Sequence, residues 1–451
     1  MSLNLVVMKH KFFVYLCAVA LFYSSCGSSE KGTPYSQQMV ELRALQTFLS
    51  NTREQQLATA HWDYVPGLVA NSVLKAWKQY PEKEEYYQIV KAYADHNMLE
   101  GDSVRVNPHN IDDLAAGKIL FTLYAAEMER GNTADAMRYK RCADFLRNKL
   151  KYQHRRVDDS LPGAGRWIHK VQYPGQLWLD GLYMGPALYA EWQHHFGAEK
   201  GEADNMESWT DIALQFEVQH QYTWDSQKQL HYHAWAADPE DPNAFWARQD
   251  GPFRGASREF WGRGVGWYFA AIVDVLEWMP KNHPNRPNLE EITRMLAAGL
   301  VKYQDPSGSW HQLLQYDATM RADEIGDTVF DVVYNVCDKS NYLEASASSM
   351  FTYAMLKGIR LNILDRSTFL PVATKAYQGL LDNFIREGEE GTLDIIQSCA
   401  SAGLGPARNF SRTGTINYYL CGRDVTITQN EGKAIGPFIM ASLEMELLKK
   451  R

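Results

Sequence analysis

From residue 35 to residue 450 apolar side chains recur at helical spacing, and no long Gly/Ser-rich or Pro-rich linker interrupts them. The spacing predicts helices near 35–50, 63–79, 84–99, 111–130, 133–151, 177–196, 204–221, 258–279, 288–303, 342–361, 367–386 and 433–449, about twelve in all. Strand-like alternation is confined to short stretches, Gln229 to His233 and Trp310 to Leu314, which read as hairpins on loops. A dozen helices must bury their apolar faces against one another, as a solenoid, an irregular bundle or a closed barrel of six inner and six outer helices. A solenoid requires a motif returning at a fixed period, and none is found. The expected fold is therefore all-α, an (α/α)6 barrel occupying one domain over 35–451.

The segment before that domain carries a targeting signal. Lys9 and Lys11 precede an apolar stretch, Phe12 to Phe22, that is too short to span a membrane, and Ser24 and Ser25 lead to Cys26. The ending resembles a bacterial lipoprotein signal over 1–26, with Cys26 as the lipidated residue and a polar linker over 27–34, although Tyr23 stands where an aliphatic residue is usual. The implied partner is a membrane, reached through an N-terminal lipid anchor, and the implied location is periplasmic or cell-surface. The remaining cysteines, Cys142, Cys337, Cys399 and Cys421, have no metal-type spacing and permit disulfides without demanding them. With 46 basic residues against 54 acidic ones the net charge is -8, and no basic stripe exists for a phosphate backbone, so nucleic acid is excluded as a partner.

Loops after roughly alternate helices carry Gly- and aromatic-rich peptides: Gly163 to His169, Leu230 to Trp235 and Ser307 to Gln312. Loops gathered at one end of a rigid scaffold are where binding residues tend to sit. The peptide Gln176 to Pro186 places Asp180 at an apolar helix start, with Met184 one turn on. Burial raises a carboxyl pKa, which suits a general acid working near neutral pH. An acid here serves equally as a helix cap or an anchor for a neighbouring loop. In Phe260 to Tyr268, Arg263 and Trp267 lie one helical turn apart among glycines 262, 264 and 266, which allow close backbone approach. A guanidinium beside an indole suits a sugar carboxylate, and it suits a protein partner near a tight turn just as well. The glycines are in the wrong register for a dinucleotide loop. Asp112 and Asp113 open the fourth predicted helix, where acids are favoured electrostatically in any case. His169 and His233 lie on the aromatic loops. His231 beside His233 has no third ligand at a telling distance, and no metal is expected.

Taken in order, WLDGLYMGP (178–186), WGRGVGW (261–267), GSWHQLL (308–314), YLEASASSMF (342–351) and GKAIGPF (432–438) resemble the unsaturated rhamnogalacturonyl hydrolases, glycoside hydrolase family 105. The resemblance covers essentially the whole chain after the signal. It implies an (α/α)6 barrel and an exo-acting hydrolase that removes a terminal 4,5-unsaturated galacturonic acid from pectin fragments, without metal or organic cofactor. The nearest rival is an unsaturated glucuronyl hydrolase acting on glycosaminoglycan fragments, and a rival of another kind is a non-catalytic glycan-binding lipoprotein. The resemblance further implies that Asp180 is the catalytic acid, with Asp112 as the second acid and Asp113 one register away. His169, Trp178, Met184, His233, Arg263 and Trp267 would contact the unsaturated oligosaccharide. Asp112 would help keep Asp180 protonated by like-charge proximity. The sequence departs from the family pattern at Val265, where Asn is commoner, and at Thr428 to Asn430, where acids are usual.

Overall fold

Helices buried on every side alternate along the chain with helices buried on one face, and this alternation sorts them into two rings. The computed structural model describes residues 32–322 and 337–450, so Cys26 and the signal around it lie outside the described residues. In chain order the helices are α1 (Tyr35–Met39), α2 (Tyr64–Gln79), α3 (Glu84–Asn97), α4 (Ile119–Glu129), α5 (Thr133–Asn148), α6 (Asp180–Met184), α7 (Pro186–Phe196) and α8 (Glu202–Thr223). They continue as α9 (Gly262–Trp278), α10 (Arg286–Lys302), α11 (Ala345–Arg360), α12 (Arg366–Phe384), α13 (Ile416–Cys421) and α14 (Gly432–Lys449).

α9 is buried continuously from Gly262 to Leu276, α11 from Ala345 to Ile359 and α14 from Gly432 to Met445. Outer helices such as α3, α5 and α12 instead bury a stripe, for example Tyr86, Tyr87, Val90, Tyr93 and Ala94 of α3. The inner ring closes: α2 packs on α14, α14 on α11, α11 on α9, and α9 on α6 and α7. α6 then packs on the 3-10 segment Ile111–Lys118 that leads into α4, and that segment packs on α2. The chain is an (α/α)6 barrel.

Several expected elements change form. The stretch 35–50 is α1, a π-helical turn (Val40–Ala44) and a strand, Phe48–Ser50, paired with Arg53–Gln55. The stretch 177–196 is a strand, Gln176–Trp178, followed by two short helices broken at Gly185, where Pro186 removes the next amide donor. Leu230–His231 does form a hairpin, with Trp224–Asp225. Trp310 to Leu314 does not: His311 bridges to Leu343 and Leu313 to Trp261, so its partners come from two other loops. α13 was not expected, because six residues are too few to show a period. Cys337 and Cys421 form a disulfide, while Cys142 and Cys399 are free and buried.

The inner ring tolerates little added volume. A Cβ placed on Gly67 of α2 would fall inside van der Waals contact with the Cα and Cβ of Ala116. Gly67→Ala is expected to cost about 1–3 kcal/mol through overpacking, read as a lowered thermal or denaturant midpoint, whereas Gly131→Ala, which meets nothing within 4 Å, costs only the strain of its φ of +79°.

Candidate active site

The inner helices all begin at one mouth of the barrel, and most begin with an acid. Asp63 caps α2, Asp112 stands in the first turn of the 3-10 segment, Asp180 opens α6, Glu344 caps α11 and Glu431 precedes α14. These termini lie within electrostatic reach of one another: Asp63 interacts with Asp112 and Lys433, and Arg263 at the start of α9 interacts with Glu344 and Glu431.

A short antiparallel pair sets the centre of this mouth. Gln176–Trp178 pairs with Ala234–Ala236, Trp178 opposite Ala234, and the Leu179 amide donates to the His233 carbonyl at 3.0 Å. The next residue, Asp180, thereby meets the His233 side chain. Its Oδ2 lies 3.0 Å from His233 Nε2, and the Tyr419 hydroxyl lies 2.7 Å from Nδ1. His233 is fully buried, and the Asp180 side chain is 14% exposed. Burial pushes the Asp180 carboxyl up, but the charge and hydrogen bond of His233, aided by His169, bring it below the usual carboxylate range. The expected rise in the Asp180 pKa is therefore overturned, because an imidazole stands against the buried acid. An ionised Asp180 can only accept, so Nε2 carries a proton towards it, and the Tyr419 hydroxyl holds the ring from the Nδ1 side. Burial holds the Tyr419 phenol far above its ordinary pKa, so it keeps its own proton.

Space for His233 depends on a glycine. A Cβ on Gly264 would lie 3.0 Å from His233 Cδ2, which accounts for one glycine of the WGRGVGW peptide. Gly262 and Gly266 face Ala347 and Met350 of α11 in the same way, and Val265 is fully buried in the apolar core.

The two neighbouring acids differ in their contacts. Asp113 is tied to its own loop, accepting from the Asn107 amide and from Asn110 Nδ2, each at 2.6 Å, and burial pushes its carboxyl up to about 6. Asp112 turns to the mouth, 2.5 Å from Lys170 Nζ and 3.6 Å from His169 Nε2. Its negative charge is answered by Lys170 rather than by a proton on Asp180, so the like-charge role expected of it is not supported. His169 is pushed down to about 4 by burial and is neutral at pH 7. It stacks on Trp178 at 4.6 Å and 11°, and Tyr173 stacks on Trp178 at 4.6 Å.

Three other expected residues sit deeper. Met184 ends α6 in the apolar core. Trp267 packs against Tyr183 and Tyr64. Arg263, 2% exposed, donates to the Cys399 carbonyl and to Ser346 Oγ, and its guanidinium lies 4.9 Å from the Trp261 ring. A sugar carboxylate held there would share those donors. Sequence reasoning missed Tyr419, Lys170 and Arg412. A Cβ on Gly403 would lie 2.9 Å from Arg412 Nη1 and 3.3 Å from Trp178 Cη2, so Arg412 borders the aromatic stack, anchored by Asp424. Among the described residues no three His, Cys, Asp or Glu side chains converge as a metal ion requires.

The family model for Glycosyl Hydrolase Family 88 matches residues 40–449, spanning every helix of the site. The chain belongs to that family. A family 105 glycoside hydrolase structure from C. acetobutylicum is 32% identical, covering 92% of this chain and 100% of that one with a TM-score of 0.74, so this family 88 chain also takes its place among the family 105 hydrolases. The unsaturated rhamnogalacturonyl hydrolase YesR of Bacillus subtilis is 24% identical over 66% of this chain and 72% of its own length. The unsaturated glucuronyl hydrolase of Bacillus sp. GL1 shares the fold, with a TM-score of 0.57 at 13% identity over 91% of this chain and 97% of that one. The protein is a glycoside hydrolase, which removes the non-catalytic reading.

In this family 88 hydrolase Tyr419 holds the His233 ring against Asp180. Tyr419→Phe is expected to cost about 1–2 kcal/mol and to deprive Nδ1 of its partner, seen by 15N-histidine NMR as a shifted His233 Nδ1 signal. An unchanged His233 spectrum would remove Tyr419 from this role.

Proposed function

We propose that the protein is an exo-acting hydrolase that releases a terminal 4,5-unsaturated galacturonic acid from rhamnogalacturonan lyase products. The observation that carries the reading is the Asp180–His233–Tyr419 line, set beside the stack of Trp178, Tyr173 and His169. Aromatic faces suit the apolar side of a sugar ring, and a carboxylate fixed by an imidazole suits proton transfer at its edge. The substrate is a vinyl ether. Asp180 would deliver a proton to C4 while water adds at C5, and the same carboxylate would take a proton from that water. The product is a hemiketal that opens and expels the aglycone. This is hydration followed by collapse, unlike hydrolysis by two opposed carboxyl groups.

Asp180 rests ionised, so its proton has to be gained on binding. A uronate carboxylate arriving beside it adds a second negative charge, which raises the Asp180 pKa. The substrate thus prepares its own acid. The sign follows: the acid form persists to higher pH in the complex than in the free enzyme. The alkaline limb of kcat is expected to lie at least about one pH unit above that of kcat/KM, measured by pH profiles. Coincident limbs would remove this step.

Asp180→Asn is expected to cost on the order of 10^3 in kcat while retaining sugar binding, read from loss of the ultraviolet absorbance of the conjugated uronate. Pectin-derived and chondroitin-derived unsaturated disaccharides should be compared directly. Preference for the chondroitin product would overturn the galacturonate reading and leave the glucuronyl alternative.

Export with lipidation at Cys26 is part of the same proposal, supported by the charged, apolar and small-residue order of residues 9–26. Cys26→Ser is expected to abolish incorporation of radiolabelled palmitate in a bacterial host and to shift the protein from the membrane to the soluble fraction.

A further inference from the structure

The far ends of the same inner helices frame a second mouth, with a cavity of about 400 Å3 lined from α2, α4, α7, α9, α11 and α14. Its charges do not balance. Lys357 is bonded to Asp274 and Glu277, each at 2.7 Å, and Arg360 to Glu277 at 3.0 Å and Glu444 at 2.6 Å. Those two cations use up three carboxylates. Lys75, Lys78 and Lys450 then line the wall with Glu191, while Glu129 also acts on Lys78, and Asp274 and Glu277 on Lys75. Behind the wall Lys118, 3% exposed, has no hydrogen-bond acceptor for its Nζ and lies 3.1 Å from the centre of the Tyr183 ring, in the field of Asp274, Glu191, Lys75 and Lys357.

Lysines at helix C-termini partly answer the helix dipole. That account fails for Lys118, which precedes α4 at its positive end. Burial pushes the Lys118 ammonium down to about 7 and the Glu191 carboxyl up to about 7, so an arriving anion draws protons onto both groups. The cavity is far larger than an inorganic ion needs and falls in the range of small-ligand sites. Half-buried Trp278 provides a flat apolar face in its wall, beside Asn71 and Thr122 as polar groups.

We propose that this far mouth is a second binding site, for an acidic mono- or disaccharide held by Lys75 and Lys78 with its ring on Trp278. The choice of an acidic sugar rests on the size of the cavity and on Trp278, and not on the reading of Asp180.

Calorimetric titration of the full chain with saturated digalacturonate, in two buffers of different ionisation heat at pH 7, tests it. The expected result is a binding event with net proton uptake that Asp180→Asn and Trp178→Ala leave in place. Lys75→Ala with Lys78→Ala should weaken that event roughly tenfold or more, and Lys75→Met with Lys78→Met, which keeps the apolar stems, should do the same with an unchanged melting midpoint. Both pairs should retain hydrolytic activity at low substrate within about twofold. The proposal is overturned if no event is weakened by the lysine changes, if Trp178→Ala abolishes all digalacturonate binding, or if inorganic phosphate competes as well as the sugar acid.

Discussion

Six inner helices aim their N-termini at one opening, and the positive ends of their dipoles make that opening a place where carboxylates are stable. Asp63, Asp112, Asp180, Glu344 and Glu431 occupy it. Each helix end is worth about 0.3–1 kcal/mol to a nearby anion, and more when partly buried. That is too little to hold five acids together, so the fold adds cations between them. Lys170 meets Asp112, Lys433 meets Glu431 at 3.0 Å, and Arg263 lies within the field of Glu344 and Glu431. Asp180 is the exception, matched to an imidazole instead of a fixed cation. That imidazole holds its carboxyl below the usual range, whereas burial raises the carboxyl of Asp63.

Much of this was legible from the chain. Twelve helical periods without a linker or a fixed repeat favoured two rings over a solenoid. Asp180 stood out because it is the lone acid in an apolar, aromatic peptide. Its setting was not legible. His233 is 53 residues away and Tyr419 lies 186 residues beyond His233, so no local spacing relates the three. The direction of the Asp180 pKa was misjudged for the same reason: burial can be guessed from a run of apolar neighbours, but an imidazole brought by another loop cannot. Asp112 and Asp113 are chemically identical in sequence, and the Asn107 and Asn110 hydrogen bonds alone separate the loop anchor from the residue facing the mouth.

Arg263 shows how one sequence pattern serves two ends. The glycines around it were expected to let a ligand approach. They let other protein groups approach, His233 at Gly264 and α11 at Gly262 and Gly266, and the guanidinium turns to the Cys399 carbonyl. The packing of α9 against α11 and the seat of His233 are thus one structural decision.

The Cys337–Cys421 bridge has a reach that its place at the rim conceals. Cys421 closes α13, and Tyr419 sits two residues before it on the same six-residue helix. A helix that short has little stability of its own; the covalent tether and its packing hold it. A thiol reductant would act on an atom pair remote from any sugar, yet loosen the hydroxyl that holds the His233 ring against Asp180. The seat of one imidazole is in this way tied to a covalent bond between two distant stretches of chain.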